Sequence, residues 1–197
     1  MLFAAATYAP LNLLRRSGYS TPRLWRQAAF YKVRTLYSLD VEKDMMVVLQ
    51  AVLLMSFWRG NSREDKGTWH WSGLATSAAS TASLHSQSGV RLSKEQRTLR
   101  GRCWWSCVLR DRLLALSEER ALRIRLDEYD VLPLTLADYN VGLRCATSEL
   151  TPDEEPGKRT ALSMFSLQLM RLVSLIGKRD PRRPGYLNSS SPPAMKI

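Results

Sequence analysis

Cys103, Cys107 and Cys145, with His70 and His85, are all the cysteine and histidine in 197 residues. That is too little for a two-metal thiolate cluster or for a disulfide-stapled secreted domain. Acid is missing from one end: none precedes Asp40, while Arg15, Arg16, Arg23, Arg26, Lys32 and Arg34 do. An arginine-rich, acid-poor start is the pattern of a mitochondrial presequence, and the plainer reading is a pair of basic helices. A secretory signal is disfavoured, because the positive charge at Arg15-Arg16 follows the apolar run instead of leading it. Long apolar runs are lacking too. The most apolar stretch, 45–58, is broken by Gln50 and Ser56, and a helix needs about 20 apolar residues to span a bilayer. No nucleophile elbow, glycine-rich phosphate loop or paired-carboxylate signature occurs, so no enzyme is expected.

What is present is globular and helical. Hydrophobic residues make up 45% and charged residues 24%, with a net charge of +11. Such a surplus gives weak, salt-sensitive attraction to any polyanion, DNA included, without implying specificity. Thr21-Pro22 is a helix start, and the spacing predicts a helix to about Ser38. A second helix is expected from near Val41 to just before Gly60, apolar nearly all round and therefore central. Thr68 caps a third, running to about Leu84, whose Ala75, Ala78, Ala79 and Ala82 share a face with Trp71 and admit a close neighbour. Ser93 and Gln96 form a capping box opening a fourth, to about Ser117. Residues 120–135 alternate without helical period and contain Pro133, which predicts an extended segment. A short helical turn is expected within 136–143. A last helix over 158–176 places Leu162, Phe165, Leu169, Leu172, Val173 and Ile176 on one side. The fold class is all-α, an irregular bundle of about five to six helices. The divisions are 1–150, a linker at 151–157, a further helix of the same domain at 158–176, and a disordered basic and Pro/Ser-rich tail at 177–197.

Several groupings could carry function. Cys103 and Cys107 share a helix face and could be half a metal site, but buried free thiols are the commoner arrangement. Trp69-His70-Trp71 could form an aromatic ligand wall or simply fill a core. Arg91, Lys94, Arg97, Arg100, Arg102, Arg110 and Arg112 do not make one nucleic-acid-binding stripe. Lys178 to Arg183 is a short basic cluster of nuclear-import type. Asp111 stands inside the apolar face of Cys103, Trp104, Cys107, Val108 and Leu114. A carboxylate there needs donors from another segment, with an arginine, His70 or a tryptophan N–H as candidates.

An ordered set of motifs carries a resemblance. Gln50 to Trp58 and Thr68 to Ala75 resemble the middle homology region of fungal binuclear zinc-cluster transcription factors. Arg102-Cys103-Trp104-Trp105-Ser106 is similar to that family's Arg-x-Trp-Trp-Ser segment. Arg123-Ile124, Asp130-Val131-Leu132-Pro133 and Leu136-Ala137-Asp138-Tyr139 resemble its ending, with a cutinase-regulator-like flavour. The likeness covers roughly 3–176. It implies a helical regulatory domain in the nucleus, serving transcription by RNA polymerase II and restraining activity or sensing a small-molecule effector or protein partner. It implies no catalytic residues. DNA and zinc are bound in the family by an N-terminal six-cysteine cluster absent from this chain, so no cofactor is expected here and no membrane. Trp69, His70, Trp71, Trp104, Trp105, Asp111 and Arg112 are the structural or regulatory candidates. Two departures stand out: Ser83-Leu84-His85 replaces Gly-Leu-His, and Ser117-Glu118-Glu119-Arg120-Ala121 replaces Gly-x-x-Arg-Pro. The expectation is a fragment of such a factor, against a stand-alone module pairing with an intact factor or a mitochondrial helical protein.

Overall fold

Three of the described helices begin at a residue whose side chain accepts a free backbone N–H. The computed structural model describes residues 10–60, 66–86, 92–125, 127–140 and 156–178. Seven helices occur there: α1 (Leu11–Arg16), α2 (Pro22–Ser38), α3 (Met45–Met55), α4 (Thr68–Thr81), α5 (Lys94–Ser117), α6 (Leu136–Asn140) and α7 (Pro156–Lys178). The fold is all-α, with no strand among the described residues. Thr21 accepts the Leu24 N–H at the start of α2, with Pro22 at the first helical position. At α5 the Ser93 hydroxyl accepts the Gln96 N–H at 3.2 Å, and the Gln96 side chain accepts the Ser93 N–H at 3.0 Å. This is the capping box expected from the sequence.

Two starts differ from expectation. α3 begins at Met45, not near Val41, because Asp44 caps it through the Met46 N–H at 2.8 Å. Thr68 does not cap α4. Gly67 holds that position without a side-chain bond, and the Thr68 hydroxyl donates to Glu118 Oε1 at 3.1 Å. Between α5 and α6 the chain is extended and bent, as expected. The 151–157 linker lies outside the described residues up to 155, and the tail and its basic cluster lie outside them from 179 onward.

Both α4 and α5 end in a turn on a left-handed residue. After α4, the Leu84 N–H reaches the Ala79 carbonyl and the Ser83 N–H the Ser80 carbonyl, both at 2.9 Å. That reversed turn requires a left-handed residue, and Ser83 takes it with φ +52°. α5 ends the same way, with Arg120 N–H on Ala115 O and Glu119 at φ +52°. Glycine is the residue without steric penalty there. Ser83 stands where the resembled motif has glycine, whereas the left-handed residue after α5 is Glu119, two places beyond Ser117.

α3 packs on α4 and α4 on α5, while α7 packs on both α5 and α6. Ala75 and Ala79 are fully buried, with Ala78 and Ala82 packed beside them, as the alanine face predicts. The central helix is α5 and not the 45–58 stretch. In that stretch only Leu49, Val52, Met55, Ser56 and Trp58 are buried, while Met45, Val47 and Phe57 are 40%, 46% and 49% exposed. α5 buries ten residues, because Trp104, Trp105 and Arg112 extend the Cys103–Leu114 stripe around the helix. α7 also departs from its pattern. Leu162, Phe165 and Leu172 point outward, Leu169 is half-buried, and among the described side chains read as inward only Val173 is buried. The inward face carries Ser166, Met170, Val173 and Ser174. Ser166 and Ser174 hydroxyls donate to the carbonyls of Leu162 and Met170, four residues back, so these serines enter a packed face with their polarity satisfied.

Candidate functional site

The predicted site residues divide into two groups. Trp71 turns into the core, edge-on to Phe30 (5.9 Å) and Tyr37 (5.8 Å), and its indole N–H donates to the Lys66 carbonyl at 3.0 Å. Trp104 and Trp105 flank Tyr129 at 5.5 and 5.8 Å, and Trp105 Nε1 donates to the Leu132 carbonyl. Buried Arg112 reaches the Tyr129 hydroxyl with Nη2, while its Nε and Nη1 find no hydrogen-bond partner among the described residues. Trp69 and His70 instead line an open cleft of about 710 Å³ where α4 starts, facing Glu118, Arg120 and Arg123. The sequence groups Trp69-His70-Trp71 as one wall, but consecutive helical residues point about 100° apart, and the structure separates the third.

Asp111 connects the two groups. It is fully buried, and its Oδ2 accepts the backbone N–H groups of Arg123 (3.0 Å) and Ile124 (3.1 Å). Its donors come from outside α5, as expected, but they are amides and not the arginine, histidine or tryptophan side chains proposed from sequence. Irregular backbone has unpaired N–H groups, and the 120–135 segment supplies them. Burial pushes the carboxyl above the usual carboxylate range, while these two amides and the charges of Arg123 and Arg112 oppose the rise.

The Asp111 anchor sets where Arg123 points. Its guanidinium lies 3.5 Å from the centre of the Trp69 ring, and Arg120 lies 4.9 Å from the same ring. Both are within cation–π range. Gly73, one turn after Trp69, makes the room: a Cβ there would sit 3.1–3.3 Å from the guanidinium. Glu118 closes the rim by pairing with Arg120 Nε at 3.1 Å. Burial and the charges of Lys66, Arg123 and Arg34 hold the His70 imidazole below its usual range. Arg120, Arg123, Glu118 and Gly73 were not among the candidates read from sequence. The Arg123-Ile124 motif was the available signal, but an aperiodic segment gives no face on which to place it.

The other chemical groupings are structural. Cys103 and Cys107 are buried; desolvation raises both thiols, Cys107 to about 12. No group of three or more potential metal-ligating side chains occurs among the described residues. Arg100 donates to the Ala82 and Ser83 carbonyls at the end of α4, and Arg110 to Ser56 while stacking on Phe57. With Arg112 buried, these cations of α5 are directed at the protein itself. No described helix is long and apolar enough to cross a membrane.

The chain is a member of the fungal specific transcription factor domain family, whose model matches residues 1–183. It is 37% identical over 153 residues to cutinase transcription factor 1 beta of Fusarium vanettenii, covering 77% of this chain and 17% of that protein. It is 35% identical over 187 residues to a transcription factor of Fusarium pseudograminearum, covering 90% and 21%. Transcription factor cpaR of Aspergillus oryzae matches at 30% over 186 residues, covering 90% and 31%. No solved structure matches. The chain thus spans about a fifth of the first two relatives' length.

Proposed function

We propose that the chain is a regulatory region of a fungal zinc-cluster transcription factor, acting in the nucleus on transcription by RNA polymerase II. Specific DNA contact and zinc binding then belong to a cluster outside these 197 residues. The observation that carries this is the family match over 1–183, with relatives that are themselves named transcription factors. Trp69 and His70 serve effector recognition in this reading, while Trp71, Trp104, Trp105, Asp111 and Arg112 hold the frame. The relatives are not enzymes, and we infer no catalytic role.

The test fuses the chain to a heterologous DNA-binding domain upstream of a reporter. The expected result is a reporter level that differs from that of the DNA-binding domain alone and is altered by substitutions in the Trp69 cleft. A reporter indifferent to the fused chain, or a purified chain that holds stoichiometric zinc or picks one DNA sequence over scrambled competitor at physiological salt, would sink the reading.

One observation favours a second reading, a helical interaction module that pairs with an intact factor: the outward apolar face of α7. Leu162, Phe165 and Leu172 are 67%, 66% and 57% exposed. Co-purification of the chain with a full-length factor, abolished by Phe165→Asp, would select it.

A further inference from the structure

Resting on the regulatory reading above, we propose that the cleft between the start of α4 and the Glu118–Arg123 segment is an effector site for a small organic monocarboxylate, gripped by Arg123.

The argument starts from charge pairing. Among the described residues Glu118 is the only carboxylate lining the cleft, and it is engaged by Arg120 and by the Thr68 hydroxyl, both at 3.1 Å. Arg123 is half-buried and lines the cleft; its Nη1 is buried, without a hydrogen-bond partner among the described residues, so a ligand reaches only the Nε and Nη2 edge. Asp111 has its Oδ2 committed to backbone amides and makes no hydrogen bond to the guanidinium, though its charge and that of Glu118 both act on Arg123. Stacking on Trp69 uses the guanidinium's face and leaves the in-plane N–H edge for a ligand, the geometry that suits a planar carboxylate. Gly73 and the Trp69 ring hold that plane in place. The setting is cationic, since Lys66, Arg123 and Arg34 all act on His70.

The same geometry limits the ligand's charge. Glu118 already places one negative charge in the cleft, so a dianion such as phosphate meets more repulsion than a monoanion. The apolar part of the ligand has Leu74 and the Trp69 edge to lie against. A volume of about 710 Å³ falls inside the range of roughly 300–1,000 Å³ typical of small-ligand sites.

The experiment titrates the full chain with benzoate at constant ionic strength, with benzamide as the neutral analogue and inorganic phosphate as the dianion. His70 and His85 are the only two histidines, so the His70 ring resonance is assigned with His70→Gln. Benzoate is expected to shift His70 saturably, with a dissociation constant of roughly 1 mM or tighter, and to raise its titration midpoint. His85 should stay still, benzamide should not saturate, and phosphate should bind roughly tenfold or more weakly. Arg123→Gln should weaken benzoate roughly tenfold or more. Glu118→Gln, which removes the resident carboxylate, should tighten benzoate and narrow its advantage over phosphate, a gain that misfolding cannot imitate.

No saturable benzoate shift overturns the proposal. So does phosphate binding as tightly as benzoate, undiminished binding in a folded Arg123→Gln chain, or weaker binding in Glu118→Gln. The two readings fail separately. Binding by the purified chain with an unresponsive fused reporter retains the site and sinks the regulatory role, whereas a reporter altered by the fused chain without benzoate binding sinks only the site.

Discussion

α5 and α7 are nearly the same length, 24 and 23 residues, and relate to their sequences in opposite ways. α5 is rich in arginine and contains an aspartate in its apolar stripe, yet it is the core of the domain. α7 has a continuous apolar face, and Leu162, Phe165 and Leu172 of that face are in solvent. In α5 several inward polar groups are tied to particular neighbours: Asp111 to two amides, Arg110 to Ser56, Arg100 to the end of α4. Amphipathic spacing therefore identifies a face that gains from being covered. Which face is covered within the chain depends on what the neighbouring segments can satisfy.

The largest contrast is between aromatic side chains of the two helices. Trp104 is 2% exposed, against 66% for Phe165. Trp104→Ala removes a ring packed on Tyr129 and leaves a cavity, which should destabilise by about 3–5 kcal/mol in urea denaturation. A loss below about 1 kcal/mol would mean that α5 is not the core.

Next comes Asp111. Asp111→Ala strands the amides of Arg123 and Ile124, and a loss of about 2–3 kcal/mol is expected. Asp111→Asn keeps an acceptor oxygen and removes a buried charge, so it should cost less than about 1 kcal/mol. If the asparagine chain is as unstable as the alanine chain, the carboxylate is held by charge and not by its amides.

These residues show how far the sequence could be read. Helices α2 and α5 were legible to within a residue, because Thr21-Pro22 and Ser93/Gln96 satisfy N–H groups with adjacent side chains. Asp111 was legible as an anomaly, since polarity inside an apolar stripe demands a donor. Its donors were not legible, because any backbone amide qualifies and only folding brings residues 123 and 124 to it. The cleft was half legible for the same reason: Trp69 and His70 lie on a periodic helix, and Arg120 and Arg123 on an aperiodic segment.

The turn after α4 offers a smaller effect of opposite sign. Ser83 at φ +52° bears a penalty that glycine lacks. Ser83→Gly should raise stability by about 0.5–1 kcal/mol, read as a higher urea midpoint at unchanged slope. A lower midpoint would show that the Ser83 side chain contributes more than its backbone conformation costs.

His70 contributes a pH dependence. Its folded pKa lies below the ordinary value, so the native chain binds this proton less readily than the unfolded chain. The contribution is fully present above about pH 6.5, the unfolded value, and is lost as pH falls through the depressed folded value. His70→Gln should flatten that part of the stability profile. An unchanged slope between pH 5 and pH 6.5 would assign it to other groups.

The smallest effect belongs to the outward face of α7. With Phe165 at 66% and Leu172 at 57% exposure, truncation to alanine removes little buried area. Each change should stay within about 0.5 kcal/mol at low protein concentration, in the range of ordinary surface substitutions. Helix propensity does not disturb this, since alanine is at least as good a helix former as either residue. The face also spares Val173, Met170 and the self-bonded serines, which hold α7 to α5 and α6. A loss above about 1 kcal/mol that grows with protein concentration would mean that another copy covers the face in solution. The contrast between the helices would then be one of partner, with α5 covered by its own chain and α7 by a second.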